Sequence, residues 1–384
     1  MNKTRISLML NFAHALDHMF LLIFATAVSS IAADMGMVRW EDLMPYGAAA
    51  FFFFGVGSLP AGKLGDQWGR RPMMIVFFFG MGVSSLLVSQ AQTPLQLALL
   101  LAIMGGFASI YHPVGIPMLM QYTNRPGRAI GFNGLMGNLG IAMAAVLTGW
   151  VIKISDWRAA FMLPGVLSMV MGIVFWRLSR GDDIAPSKKN QTETTAPHER
   201  QSTLFFVMTL AATTGSLLFN FSTNSNGEVL ADRLRGLVND PAGIGMLLAA
   251  VYVLASLSQL VIGYLLDRVP LRKLYLSVLT LQLLTLLAAT WSSGWWFYLV
   301  QVAFMCLIFA AIPFTDAMIV RYVDDAMRSR ISGARFAVSF GASSLAVWLI
   351  GPIIKAGGMQ TFLWTMVATS AATLAVISFL PSTE

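Results

Sequence analysis

Apolar segments of 18 or more residues recur along this chain from end to end. An α-helix rises about 1.5 Å per residue, so about 20 apolar residues cross a hydrocarbon core about 30 Å thick. Twelve such spans are expected, near 7–32, 43–63, 72–92, 95–121, 128–152, 158–178, 203–226, 242–265, 272–290, 295–320, 329–352 and 358–380. Composition excludes a soluble reading of the 384 residues, because 57% are hydrophobic and only 11% charged. Soluble domains carry about 25% charged residues. The fold class is therefore an all-α membrane protein with twelve transmembrane helices.

The net charge of +7 does not point to nucleic acid, because Lys and Arg collect in short loops between apolar runs. There they report orientation. With the N-terminus inside, 18 of these residues fall on the cytoplasmic side and 6 outside, while Arg335 falls within a span. That bias expects both termini in the cytoplasm. The single cysteine, Cys306, lies in an apolar run, so neither a disulfide framework nor a CxxC metal site is available. The first apolar run is too long for a signal-peptide core and carries His and Asp, so it is read as a retained first span.

The longest polar interval, Ser179–Ser202, mixes both charge signs with two prolines and shows no periodicity. It divides the chain into an N-terminal six-helix bundle, 1–178, a cytoplasmic linker, 179–202, and a C-terminal six-helix bundle, 203–384. The two parts echo each other. GKLGDQWGRR, Gly62 to Arg71, is repeated in degenerate form by GYLLDRVPLRK, Gly263 to Lys273, at an offset of 201. RAIG from Arg128 and RISG from Arg330 match at an offset of 202. Two matches at nearly one offset indicate duplication, with the halves related about the membrane normal and a cavity between them.

These residues also carry a resemblance. GKLGDQWGRR resembles the signature loop of the major facilitator superfamily, and Asp156-Trp-Arg158 at the start of span 6 is similar to another of its elements. HALDHM from His14 and SIYHP from Ser109 resemble strings in the fosmidomycin-resistance type of efflux carrier. The resemblance implies the major facilitator fold, a small-molecule substrate, no cofactor, and a gate closed by Asp66 against the start of span 11. The gating loop is then Gly62, Asp66, Gly69, Arg70 and Arg71, with Asp267 and Arg272 in the second copy. Gly69 is free to take a positive φ, and Arg70 and Arg71 are natural partners for Asp66.

Three of the four histidines fall within spans. His14, Asp17 and His18 are spaced i, i+3, i+4, which places them on one helical face. A charged residue at the centre of a span costs about 2.5–3.5 kcal/mol on insertion scales, so such groups face a cavity, pair or lose their charge. Histidine changes charge near neutral pH, which suits proton coupling. The expected substrate or coupling residues are His14, Asp17, His18, His112, Asn224, Asp316 and Arg335. Asn224 sits in the polar run Asn220 to Glu228 at the end of span 7, expected to line an outer vestibule or fray into the loop. The glycines of span 5, Gly131, Gly134, Gly137 and Gly140, are expected to form a sliding contact with the other half.

No Walker A, HExxH or GxSxG string occurs, so neither an ATP-driven pump nor an enzyme is expected. The leading expectation is a monomeric secondary transporter in a bacterial inner membrane, exchanging protons for a small organic solute, outward. The alternative is a divalent transition-metal transporter, because His14, Asp17, His18 and His112 form an N/O ligand set.

Overall fold

The computed structural model describes residues 2–123, 126–180, 198–266, 268–322 and 325–380, with side chains outside the description at 2, 126–127, 198–205, 316 and 319–337. Among the described residues the chain is all helix. The helices are α1 (Asn2–Asp34), α2 (Met44–Trp68), α3 (Arg70–Val88), α4 (Pro94–Met120), α5 (Pro126–Ile154) and α6 (Trp157–Leu178). They continue as α7 (His198–Arg233), α8 (Pro241–Leu266), α9 (Leu271–Trp291) and α10 (Gly294–Tyr322). A last helical stretch, Asp325–Ser378, breaks at Gly358, whose φ of 74° and ψ of 179° are not helical. That break gives α11, 325–357, and α12, 359–378, so a single glycine makes the turn where a loop from 353 to 357 was expected. A residue without a Cβ reaches this backbone region at little cost.

Two compact units are present, Met1–Ser187 with Val238–Ala250, and Lys188–Leu237 with Val251–Glu384. In the first, α1 packs on α5, α2 on α4, and α3 on α6. Apolar almost all round, α1 is buried along most of its length, as expected of a helix inside a bundle. Outer helices differ: Phe52, Phe53, Val56 and Leu59 on α2, and Leu163, Val166 and Val170 on α6, are exposed. Large apolar side chains on one face of a long helix are lipid-facing here, because hydrocarbon is their solvent. The helices span a membrane, and the protein is integral to it.

The duplication reappears as a repeated contact. Arg71, in the first turn of α3, donates from Nη2 to the carbonyl of Trp176 near the end of α6 at 3.3 Å. Arg272, 201 residues on and in the first turn of α9, donates from Nη2 to the carbonyl of Ser378 at the end of α12 at 2.8 Å. Guanidinium groups at these ends satisfy carbonyls that the helix leaves without partners.

Local chemistry explains other ends. Asp156 caps α6 by accepting from the backbone N–H of Ala159 at 3.0 Å. The next residues tie that end down, with Arg158 on Asp34 at 2.7 Å and lying over the Trp157 ring at 4.4 Å. Gly69 does take a positive φ, 97°, and separates α2 from α3.

Candidate functional site

His14, Asp17 and His18 of α1 are met by one ionisable residue from α4. His112 lies in a single π-helical turn, Tyr111–Gly115, inside α4. Pro113 has no N–H to continue the ordinary ladder, so the turn widens by one residue and re-aims the side chains. The signature glycines of α2 support this turn. A Cβ on Gly65 would lie 2.8 Å from Val114 Cγ2, and one on Gly62 would lie 3.4 Å from Pro113 Cβ. The GKLG string thus packs directly beneath the histidine-proline turn.

The cluster is close-set. The rings of His14 and His112 are 5.1 Å apart, and those of His18 and His112 are 5.8 Å apart. His14 stacks on Tyr111 at 4.7 Å and 15°. One nitrogen from each of His14, His18 and His112 lies within 4.8 Å of the others. Asp17 Oδ2 lies 3.6 Å from His112 Nε2. Asp17 is wholly buried, and neither of its oxygens accepts a hydrogen bond among the described residues. A carboxylate without donors in such a place is costly, and His112 Nε2 at 3.6 Å is close enough to pair with it in charge but not to hydrogen-bond to it. The pair is neutral in total as carboxylate with imidazolium or as acid with imidazole.

Hydrogen bonds settle the tautomers of the other two histidines. His14 Nδ1 sits 2.7 Å from the backbone carbonyl of Asn133 on α5. A carbonyl only accepts, so Nδ1 carries the proton and, in the neutral ring, Nε2 is the acceptor. His18 Nε2, 3.1 Å from His14 Nε2, is therefore the donor. One proton occupies the space between two Nε2 atoms, which is the elementary unit of a relay. The Asn133 side chain completes the frame: its amide donates to Asn11 Oδ1 at 3.0 Å and to Tyr111 Oη at 2.7 Å. The Tyr111 hydroxyl in turn donates to the carbonyl of Leu10 at 2.9 Å.

The fit of α5 onto α1 depends on two glycines. A Cβ on Gly137 would lie 2.6 Å from His14 Cε1, and one on Gly140 would overlap the carbonyl of Ala15. These positions thus make contact within the first unit, and the sequence expectation of a sliding contact with the other half is corrected for them. Phe54 on α2 lies with its ring 5.7 Å from that of His112.

The remaining expected residues are dispersed. Asn224 is buried in the second unit, where its amide donates to the Asn220 carbonyl at 3.1 Å and its Oδ1 accepts nothing among the described residues. The polar run around it neither frays nor faces lipid, because α7 continues to Arg233 and Asn220 to Asn226 are packed inside. Its neighbours there are Ser343, Tyr252 and Met305, within hydrogen-bond reach of Asn220 and Asn226. Asp66 is exposed at the end of α2. Arg70 and Arg71, expected to pair with it, donate instead to the carbonyl of Pro117 at 3.0 Å and to Ser179 Oγ at 3.0 Å. The side chains of Asp316 and Arg335, and the whole of Asp267, lie outside the described residues.

Sequence reasoning missed Asn11, Tyr111 and Asn133 as parts of the site. Asn11 was findable, since it lies three residues before His14 on the same helical face. Tyr111 and Asn133 were not, because their approach depends on the π turn and on the closeness of α5.

Among known proteins, residues 8–230 match the model of the Major Facilitator Superfamily. A probable hexose phosphate transport protein of Chlamydia pneumoniae is 26% identical over 153 residues, covering 39% of this chain and 33% of that protein. A puromycin resistance protein of Streptomyces alboniger is 30% identical over 135 residues, covering 34% of this chain and 27% of that one. The chain therefore matches about a third of the length of these curated relatives. The inward-open xylose transporter of E. coli superposes with a TM-score of 0.76 at 13% identity, covering 100% of this chain and 97% of that one. The family match spans well over half of the 384 residues, and the twelve-helix fold agrees with it, so this chain belongs to the major facilitator superfamily.

Proposed function

We propose that this protein is a secondary active transporter that moves a small organic solute across a bacterial inner membrane by alternating access, coupled to protons and directed outward. The observation that carries the coupling is the cluster of buried His14 and Asp17 with half-buried His18 and His112 inside a membrane-embedded bundle. Four ionisable groups with shared protons are costly in that setting unless they bind a cation in turnover. Proton occupancy then biases one conformation over another, as differential binding requires.

In this reading the working parts are an N-terminal six-helix bundle, 1–178, a cytoplasmic linker, 179–202, and a C-terminal six-helix bundle, 203–384, acting as a monomer in the bilayer with both termini cytoplasmic. Asn224, Asp316 and Arg335 contribute to the solute path, and Asp66 with Asp267 and Arg272 to its gates. Family membership and the relatives that carry sugar phosphates or confer drug resistance support solute transport.

The test is flux in proteoliposomes with internal pH recorded, for wild type and Asp17→Asn, against a panel of amphipathic antibiotics and sugar phosphates. A solute that dissipates a pH gradient in wild type and not in Asp17→Asn is the expected result. Solute flux that leaves internal pH unchanged, or that survives the substitution with its proton movement intact, removes the coupling role.

A further inference from the structure

We infer that His14, His18 and His112 form a binding site for one divalent transition-metal ion, with Asp17 supplying the balancing negative charge. This goes beyond solute transport, because binding is a property of the first unit alone and needs no transport cycle.

The edges of the cluster are already near those of a coordination polyhedron. A tetrahedral Zn²⁺ with Zn–N bonds of about 2.0–2.1 Å sets its ligand atoms about 3.3 Å apart. His14 Nε2 and His18 Nε2 are 3.1 Å apart, and Asp17 Oδ2 is 3.6 Å from His112 Nε2. The widest separation among the three histidine ligand atoms is within 4.8 Å, a gap that modest ring rotation closes. The i, i+4 pair on α1 is a spacing that places two imidazoles on one ion.

The surroundings are also those of a metal site. A ligating histidine needs its other ring N–H held by an acceptor, which fixes the ring and raises its basicity. His14 has that acceptor in the carbonyl of Asn133, 2.7 Å from Nδ1, and its ring is clamped from the side by Tyr111. The lone pair of His14 Nε2, which accepts from His18 Nε2, therefore points at the cluster. Asp17 has two oxygens with no hydrogen-bond donor among the described residues, although it is wholly buried. Such an orphaned anion is what a dication offsets, as a fourth ligand or as the acceptor behind His112. His18 and His112 are only half-buried, so the cluster as a whole is not closed off. Neutral imidazoles with one carboxylate favour Zn²⁺, Co²⁺, Ni²⁺ or Fe²⁺ over Ca²⁺ or Mg²⁺, which prefer all-oxygen shells. Binding displaces the proton between His14 and His18, so metal and proton compete for the same two atoms.

The experiment is titration of the detergent-purified full-length protein, its affinity tag removed, with Co²⁺ under visible spectroscopy, followed by displacement with Zn²⁺. One Co²⁺ per chain with the intense absorption of a four-coordinate site is expected. His18→Ala and His112→Ala are expected to weaken binding by at least about tenfold, and Asp17→Asn by about 10–100-fold. His198→Ala, at the first residue of α7, is expected to bind as wild type does. The conservative His18→Gln and His112→Gln keep the test decisive if an alanine variant elutes as aggregate. No four-coordinate Co²⁺ spectrum in wild type, or undiminished affinity in the folded His18 and His112 variants, overturns the site. Either result is separate from the flux assay above, so failure here leaves proton-coupled transport standing.

Discussion

Asn133 and Gly137, one turn apart on α5, decide where His14 sits. The carbonyl of Asn133 fixes its tautomer, and the missing side chain at 137 makes room for its ring. Gly137→Ala forces a Cβ to within 2.6 Å of His14 Cε1, and overpacking of this kind costs about 1–3 kcal/mol. A lower melting temperature in detergent and a loss of flux are expected for that variant. Gly134→Ala meets nothing within 4 Å and is expected to leave melting unchanged or raise it, through the lower entropy of the unfolded chain. Equal melting temperatures for the two variants would show that His14 is not held there. Asn133→Leu strips the amide donor from Asn11 Oδ1 and Tyr111 Oη, and a buried acceptor left unsatisfied costs about 1–3 kcal/mol. The same melting assay is expected to register that loss.

At the scale of one helix, the π turn in α4 is the feature with most leverage. It lets His112 face α1, and it rests on Gly62 and Gly65 of the signature loop. Pro113→Ala restores the N–H and allows an ordinary α turn, which is expected to rotate His112 away from Asp17. Solute flux is expected to fall while the protein remains folded and monodisperse. Unchanged flux would mean that the turn serves packing alone. Because the glycines of α2 touch Pro113 and Val114, the signature loop also has a structural task within the first unit. The motif was visible in the sequence, but its contact with the histidine-proline turn was not, since 49 positions separate Gly65 from Val114. The exchange of partners by Arg70 and Arg71 has the same origin. Helix ends leave carbonyls unsatisfied, and no one-dimensional pattern tells which end lies within reach of a guanidinium.

For the molecule as a whole, the loop charges make a testable map. With both termini in the cytoplasm, a cysteine at Gln67 is expected to be shielded in intact cells from a membrane-impermeant maleimide, and one at Gln92 to be labelled, with Cys306 replaced by Ser. The reverse pattern would invert the topology. Outside the membrane, Lys153 Nζ lies 2.8 Å from Asp240 Oδ2. That hydrogen bond holds the Asp240 carboxyl below the usual carboxylate range. A depressed folded-state pKa contributes stability that is present above the unfolded value of about 3.9 and disappears as pH falls through the folded value. Lys153→Gln is therefore expected to change melting above pH 5 slightly and to flatten its decline in acid. The pair is exposed, so the effect is small and screened by salt.

The sequence alone determined the architecture, because the length of apolar runs, their number and the placement of Lys and Arg follow from the solvent that surrounds the chain. It also exposed the duplication and placed His14, Asp17 and His18 on one face, since these rest on periodicity along a single helix. The tertiary structure decided which groups join them. Tyr111, His112 and Asn133 reach the cluster from α4 and α5, and no local pattern encodes the distance between helices far apart in sequence. It also decided that the polar run of α7 is packed helix, because Ser343 and Tyr252 from other helices satisfy amides that would otherwise need water. Backbone preferences act within a few residues, whereas burial and hydrogen-bond satisfaction are settled only when distant helices close on one another.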